Sequence, residues 1–164
     1  MDTTRIIGID CGTAINGWAV IEVNHKSKVS LISCGVIKTH KFTPEPDRLK
    51  DIGDSTAELI KEYNPKIMVL EDIFFFKNAK TVIKVSQARG VIIYQGLTNN
   101  LEIISYTPLQ VKQQITGYGR ADKKQIQFMV NTIFKLKTKL VQDDAADALA
   151  IAYCHYLNLK TPKV

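Results

Sequence analysis

The sequence predicts an α/β domain built on a mixed five-stranded sheet with helices on both faces. Two observations predict it. Three consecutive apolar segments in the first 39 residues are joined by short polar turns, the signature of an antiparallel meander. After them, helical and strand-like segments alternate, which places parallel strands beside the meander.

The elements follow in order. Ile6 to Ile9 reads as a buried strand ending at Asp10, and Cys11-Gly12-Thr13 as a turn. Gly17 to Val23 is a second strand, rich in Val, Ile and Trp. Asn24 to Lys28 turns the chain into a third strand, Val29 to Thr39. Lys41 to Asp47 contains Pro44 and Pro46 and reads as a loop. Leu49, Ile52, Thr56, Leu59, Ile60 and Tyr63 recur in steps of three and four, one face of a helix that Asn64-Pro65 ends. Ile67 to Leu70 is a short strand with Glu71 at its C-terminal end.

Residues 79–98 form a long helix that is apolar on more than one side, through Val82, Val85, Val91, Ile92, Ile93 and Leu97. Such a helix is buried, or covered by a second chain. Leu101 to Ser105 is the fifth strand. Helices at about 108–115 and 122–136 flank Gly117-Tyr118-Gly119, and a last helix runs from Asp143 to about Leu157. There is no repeat and no linker, so residues 1–164 read as one domain.

Charge narrows the partner. The net charge is +6. Residues 109–141 hold seven positives (Lys112, Arg120, Lys123, Lys124, Lys135, Lys137 and Lys139) and one negative, Asp122, so the whole excess lies there. The segment is either a solvated helix face or a surface for a polyanion, most often nucleic acid. No apolar run has the length of a membrane span, and Met1-Asp2-Thr3-Thr4 lacks a signal-peptide pattern. Cys11, Cys34 and Cys154 fit neither a disulfide framework nor a zinc motif. The expected setting is cytoplasmic.

Three sites put acids where packing alone does not. Asp10 follows one buried strand, Glu71 follows another, and Asp143, Asp144 and Asp147 open the last helix. Each has a plainer reading: a turn residue, a solvated strand end, and a helix cap with dipole compensation. Together they are more than that, because strand ends and a helix start can converge on one edge of a sheet. Converging carboxylates suit Mg²⁺, and two such ions support phosphodiester hydrolysis.

The ordered set Ile7-Gly8-Ile9-Asp10-x-Gly12, Leu70-Glu71, Phe74-x-x-Lys77-Asn78, Gln87-Ala88-Arg89-Gly90, Gln110-Val111-Lys112-Gln113 and Asp144-Ala145-Ala146-Asp147-Ala148-Leu149-Ala150 resembles the RuvC-type Holliday junction resolvases. The resemblance spans about residues 5–157. It implies a ribonuclease H-like fold and a homodimer that cuts four-way DNA junctions in recombination and repair. It also implies Asp10, Glu71, Asp144 and Asp147 as catalytic ligands of two Mg²⁺ ions, with Mn²⁺ able to substitute, and RuvA–RuvB as branch-migration partners. Phosphate-contacting lysines fall on Lys112 and Lys123, and an aromatic wedge on Phe74. Lys77, Arg120 and Lys124 are added here as candidate DNA contacts. Cys11 stands where the family usually has proline, and Asp72 and Asp143 add acids beside two catalytic positions.

Other readings stay open. Phe74-Phe75-Phe76 suits a core segment as well as a base-stacking one. Gly117-x-Gly119-Arg120 is either a phosphate cradle or a connector. His155 reads as a packing residue. An RNA-directed ribonuclease H-like nuclease, a non-catalytic junction binder and an actin-like ATPase are the alternatives; the last needs two such domains, more than 164 residues supply.

Overall fold

A computed structural model describes residues 3–73, 79–136 and 142–160. Its strands are β1 (Thr4–Asp10), β2 (Ile15–Val23), β3 (Val29–Lys38), β4 (Ile67–Glu71) and β5 (Glu102–Tyr106). They form one sheet in the order β3-β2-β1-β4-β5. β1–β2 and β2–β3 are antiparallel; β1–β4 and β4–β5 are parallel. The expected mixed five-stranded sheet is therefore present. The C-terminal ends of β1, β4 and β5 share one edge, and that edge carries Asp10 and Glu71.

Alternation of side chains sorts the core into two layers. Ile6, Ala19, Ile21 and Val69 pack with residues of α3 (Pro108–Thr116), α4 (Lys123–Ile133) and α5 (Asp143–Lys160). Ile7, Ile9, Val20, Met68 and Leu70 pack with residues of α1 (Glu45–Tyr63) and α2 (Ala79–Thr98). Asp10 follows Ile6 and Gly8 in step of two, and Glu71 follows Ile67 and Val69. Both acids thus belong to the α5 side of the sheet.

α5 approaches that side closely. A side chain at Gly8 would strike the carbonyl of Ala148, and one at Gly17 the carbonyl of Asp144. The residues α5 presents here, Ala148 and Ala152, are themselves small and fully buried. Small residues on both surfaces bring the first turn of α5 down beside the end of β1.

Some boundaries depart from expectation. α1 begins at Glu45, inside the expected loop, with Pro46 in its first turn. Proline is tolerated there because a first-turn N–H has no intrahelical acceptor to lose. α1 ends at left-handed Asn64, as the Asn-Pro pair indicates. α4 stops at Ile133, shortly before Lys135 adopts φ 50°. α3 and α4 open on capping boxes, Thr107 with Gln110 and Asp122 with Gln125. No described helix is long and apolar enough to cross a membrane.

Candidate active site

Parallel pairing sets the first two acids side by side. Ile9 of β1 is in register with Leu70 of β4, so Asp10 and Glu71 leave the sheet together. The second turn of α5 brings Asp147 across to them. Asp10, Glu71 and Asp147 line one cleft of ≈ 300 Å³ with Lys112 and Lys123. Its apolar wall is formed by Val111, Ile126, Ala150 and Ile151.

The electrostatics follow from crowding. Burial raises Asp10 to about 7, helped by Asp147, Glu71 and Asp144 and opposed by Lys123. Burial raises Glu71 to about 7, with Asp147 adding and Lys112 opposing. Asp147 is also raised by burial, against the Lys123 ammonium, which donates to its Oδ2 at 2.8 Å. That hydrogen bond is the main reason the Lys123 pKa is itself raised. Two lysines therefore leave the acids under-compensated. An all-oxygen donor set with surplus negative charge suits a hard divalent cation. Among the described residues, no three acidic, histidine or cysteine side chains are already drawn round one point; Asp147 is engaged by Lys123 instead.

Of the expected site residues, Asp10, Glu71, Asp147, Lys112 and Lys123 meet in this cleft. Asp144 does not line it, but its charge acts on both Asp10 and Asp147. Arg120 is exposed between α3 and α4, and Lys124 is exposed beside Phe128, away from the cleft. Phe74 and Lys77 lie outside the described residues. Asp143 is not the helix cap. The Ala146 N–H donates to the Gln142 carbonyl at 3.3 Å, so Asp143 is already the first helical residue. Its exposed carboxylate lies 3.9 Å from Lys123.

The neighbouring motifs resolve simply. Gly117 ends α3 with φ 73°, and Gly119 packs against Leu109, which is the connector reading. His155 is buried and its Nδ1 shares a 2.9 Å hydrogen bond with the Tyr106 hydroxyl, which is the packing reading. Burial and Asp10 push the Cys11 thiol up to about 12, so it is a neutral thiol at neutral pH. Sequence reasoning missed Asn16. Its fully buried Oδ1 accepts the Gly12 N–H at 3.0 Å and fixes the turn after Asp10. The available signal was an amide ahead of an otherwise apolar strand.

The family model for crossover junction endodeoxyribonuclease RuvC matches residues 6–155. The chain is 50% identical over 155 residues to the Fusobacterium nucleatum crossover junction endodeoxyribonuclease RuvC, covering 94% of this chain and 81% of that one. It is 46% identical over 154 residues to the Caldicellulosiruptor saccharolyticus protein of the same name, covering 94% and 93%. A solved structure of Thermus thermophilus RuvC in complex with Holliday junction substrate superposes with a TM-score of 0.89 at 30% identity, covering 96% of this chain and 95% of that one.

Proposed function

The chain belongs to the crossover junction endodeoxyribonuclease RuvC family, whose nucleases depend on divalent metal, and we propose that it resolves four-way DNA junctions by paired phosphodiester hydrolysis in recombination and repair. The observation that carries this reading is the convergence of Asp10, Glu71 and Asp147 in one cleft beside Lys112 and Lys123.

In this reading Asp10, Glu71, Asp144 and Asp147 hold two Mg²⁺ ions, for which Mn²⁺ substitutes. When bound, the ions supply Lewis-acid stabilisation to the scissile phosphate and its attacking water. The remaining roles belong to the chain. Lys112 and Lys123 fix the backbone phosphates at the cleft. Lys123 must change partner to do so, from Asp147 to phosphate. Arg120 and Lys124 extend the contact along an arm, and Phe74 and Lys77 act at the junction centre.

The partner assignments also belong to the proposal. On α2, Ile83, Tyr94 and Leu97 are exposed. They lie along one stripe at helical spacing, opposite buried Ala88 and Ile92. This stripe is the surface for a second copy in a homodimer that addresses both strands to be cut. Residues 1–164 act as one domain, in the cytoplasm, with RuvA–RuvB supplying the junction. The deciding experiment is cleavage of a mobile synthetic four-way DNA junction with and without Mg²⁺, beside a structured RNA of matched length. Paired nicks in DNA alone, only with Mg²⁺, support the reading; preferential RNA cutting overturns it.

A further inference from the structure

The edge that presents the acids has a second side. One residue beyond Asp10 and Glu71, the step of two turns Cys11 and Asp72 toward the layer packed by α2. There Arg89 of α2 donates from Nη2 to Ser105 Oγ of β5 at 2.6 Å and to Asp72 Oδ1 at 3.3 Å. Its side chain is 20% exposed, and its Nε is buried without a partner. A guanidinium largely removed from water is held in place by what it binds, here two acceptors sharing one terminal nitrogen, Nη2. Asp72 is ion-paired there, while its charge still adds to the raising of Glu71.

The backbone carries this clamp to the site. Ser105 is in register with Leu70 and Tyr106 with Glu71, and the Asp72 N–H donates to the Tyr106 carbonyl at 2.8 Å. Arg89 therefore grips β5 before Tyr106 and β4 just after Glu71. Its charge is felt by the Cys11 thiol, but it is not among the charges acting on Asp10 or Glu71. Its hold on Glu71 runs through the β4 and β5 backbone and through Asp72, whose own charge also bears on Glu71.

We propose that Arg89 is a positioning residue: by clamping Asp72 and Ser105 from the α2 side, it sets the direction in which Glu71 enters the cleft. The inference rests on the reading of Glu71 as a metal-binding acid. A residue that sets geometry from behind is worth up to about 10²-fold in rate, the cost of roughly 1 Å of misplacement.

The test uses the full chain with Arg89→Gln, Arg89→Lys, Asp72→Asn and Ser105→Ala, and Glu71→Gln as control. Junction cleavage is measured against Mg²⁺, junction affinity without Mg²⁺, and melting temperature with and without Mg²⁺. Arg89→Gln is expected to lower kcat by about 10- to 10²-fold, raise the Mg²⁺ needed for half-maximal rate and shrink the Mg²⁺-induced rise in melting temperature. Junction affinity should hold. Asp72→Asn and Ser105→Ala should follow in milder form, and Arg89→Lys should restore only part of the rate, since an ammonium on a flexible stem is less firmly fixed than a planar guanidinium. If Arg89→Gln does not fold, Ser105→Ala decides, since Asp72→Asn also removes a charge that acts on Glu71. Normal kcat and Mg²⁺ response in the folded variants, with Glu71→Gln inactive, overturns the inference alone, even if melting temperatures fall. A fully active Glu71→Gln overturns the site reading beneath it.

Discussion

The ammonium of Lys123 lies 2.8 Å from the Asp147 carboxylate, so a residue of the basic segment stands inside the acid cluster. Attraction for polyanion and the machinery of hydrolysis share one side chain. The acids should therefore separate from the lysines in experiment. Asp10→Asn, Glu71→Gln and Asp147→Asn are each expected to slow cleavage by about 10²-fold or more, the scale of a lost transition-state contact. Junction affinity should stay level or rise, because negative charge near phosphate is removed. Gel-shift and single-turnover assays on the same preparations check this; near-normal rates in all three would dissolve the site.

The lysines differ from each other. Lys112→Ala should lower the slope of log affinity against log salt by up to about 0.9 on duplex arms, one phosphate contact. Lys123→Ala should lower it by less, since its phosphate contact is made at the expense of the Asp147 pair. Titrations at four or more salt concentrations distinguish these outcomes, and equal, unchanged slopes would move the DNA path elsewhere.

Acid titration offers a measurement on the metal-free protein. In the fold Asp10 and Glu71 are raised to about 7, from ordinary values of 3.8 and 4.5. Between these values the folded state binds more protons than the unfolded chain. Their contribution is complete below about pH 4 and is lost as the pH climbs through about 7. Without Mg²⁺, the melting temperature of the wild type should decline across that window relative to Asp10→Asn. The lowered pKa of His155 works in the opposite direction but is common to both proteins. Parallel curves would show that burial and the neighbouring acids do not raise Asp10 in the fold.

Dimerisation should respond to the outer stripe of α2. Ile83→Asp, Tyr94→Asp or Leu97→Asp is expected to give a folded monomer that nicks slowly. Val91 is a poor choice for this purpose: it faces α1, where a side chain at Gly53 would meet its Cγ1 at 2.9 Å. Sedimentation velocity at micromolar concentration reads the result, and a wild type that is already a stable monomer would exclude the dimer.

Asp143 and Asp144 should separate cleanly. Asp143 is exposed in the first turn of α5, so Asp143→Ala forfeits dipole compensation of about 0.3–1 kcal/mol and leaves most activity. Asp144→Asn should keep the melting temperature near normal and abolish cleavage. Activity in Asp144→Asn with loss in Asp143→Asn would exchange the two roles.

Much of this was legible in the residues. The meander, the bounds of α2 and the acids at the ends of β1 and β4 follow from apolar patterning and turn chemistry. The plainer reading of the acids that open α5 as a helix cap did not survive at Asp143, because spacing on a helix cannot fix which carbonyl opens it, and Gln142 does. The start of α1 was hidden by reading Pro46 as a loop residue. Arg89 stood in a quoted motif without a role. Its partners lie 17 and 16 residues away, on two different strands, and only the sheet order brings them together. The lesson is physical: periodicity reports which face a residue takes, and not what waits across the layer.

Gly8 and Gly17 give the chain a failure mode that no count of carboxylates detects. A single methyl group at either position must lift α5 off the sheet or bend a strand away from it. Asp144 and Asp147 would travel with the helix while Asp10 and Glu71 stayed behind. A sequence can therefore keep every acid and still be silent, and its defect would be mended at a glycine, some distance in the chain from any group that reacts. Forecasts of activity for divergent relatives should weigh these two positions as heavily as the acids themselves.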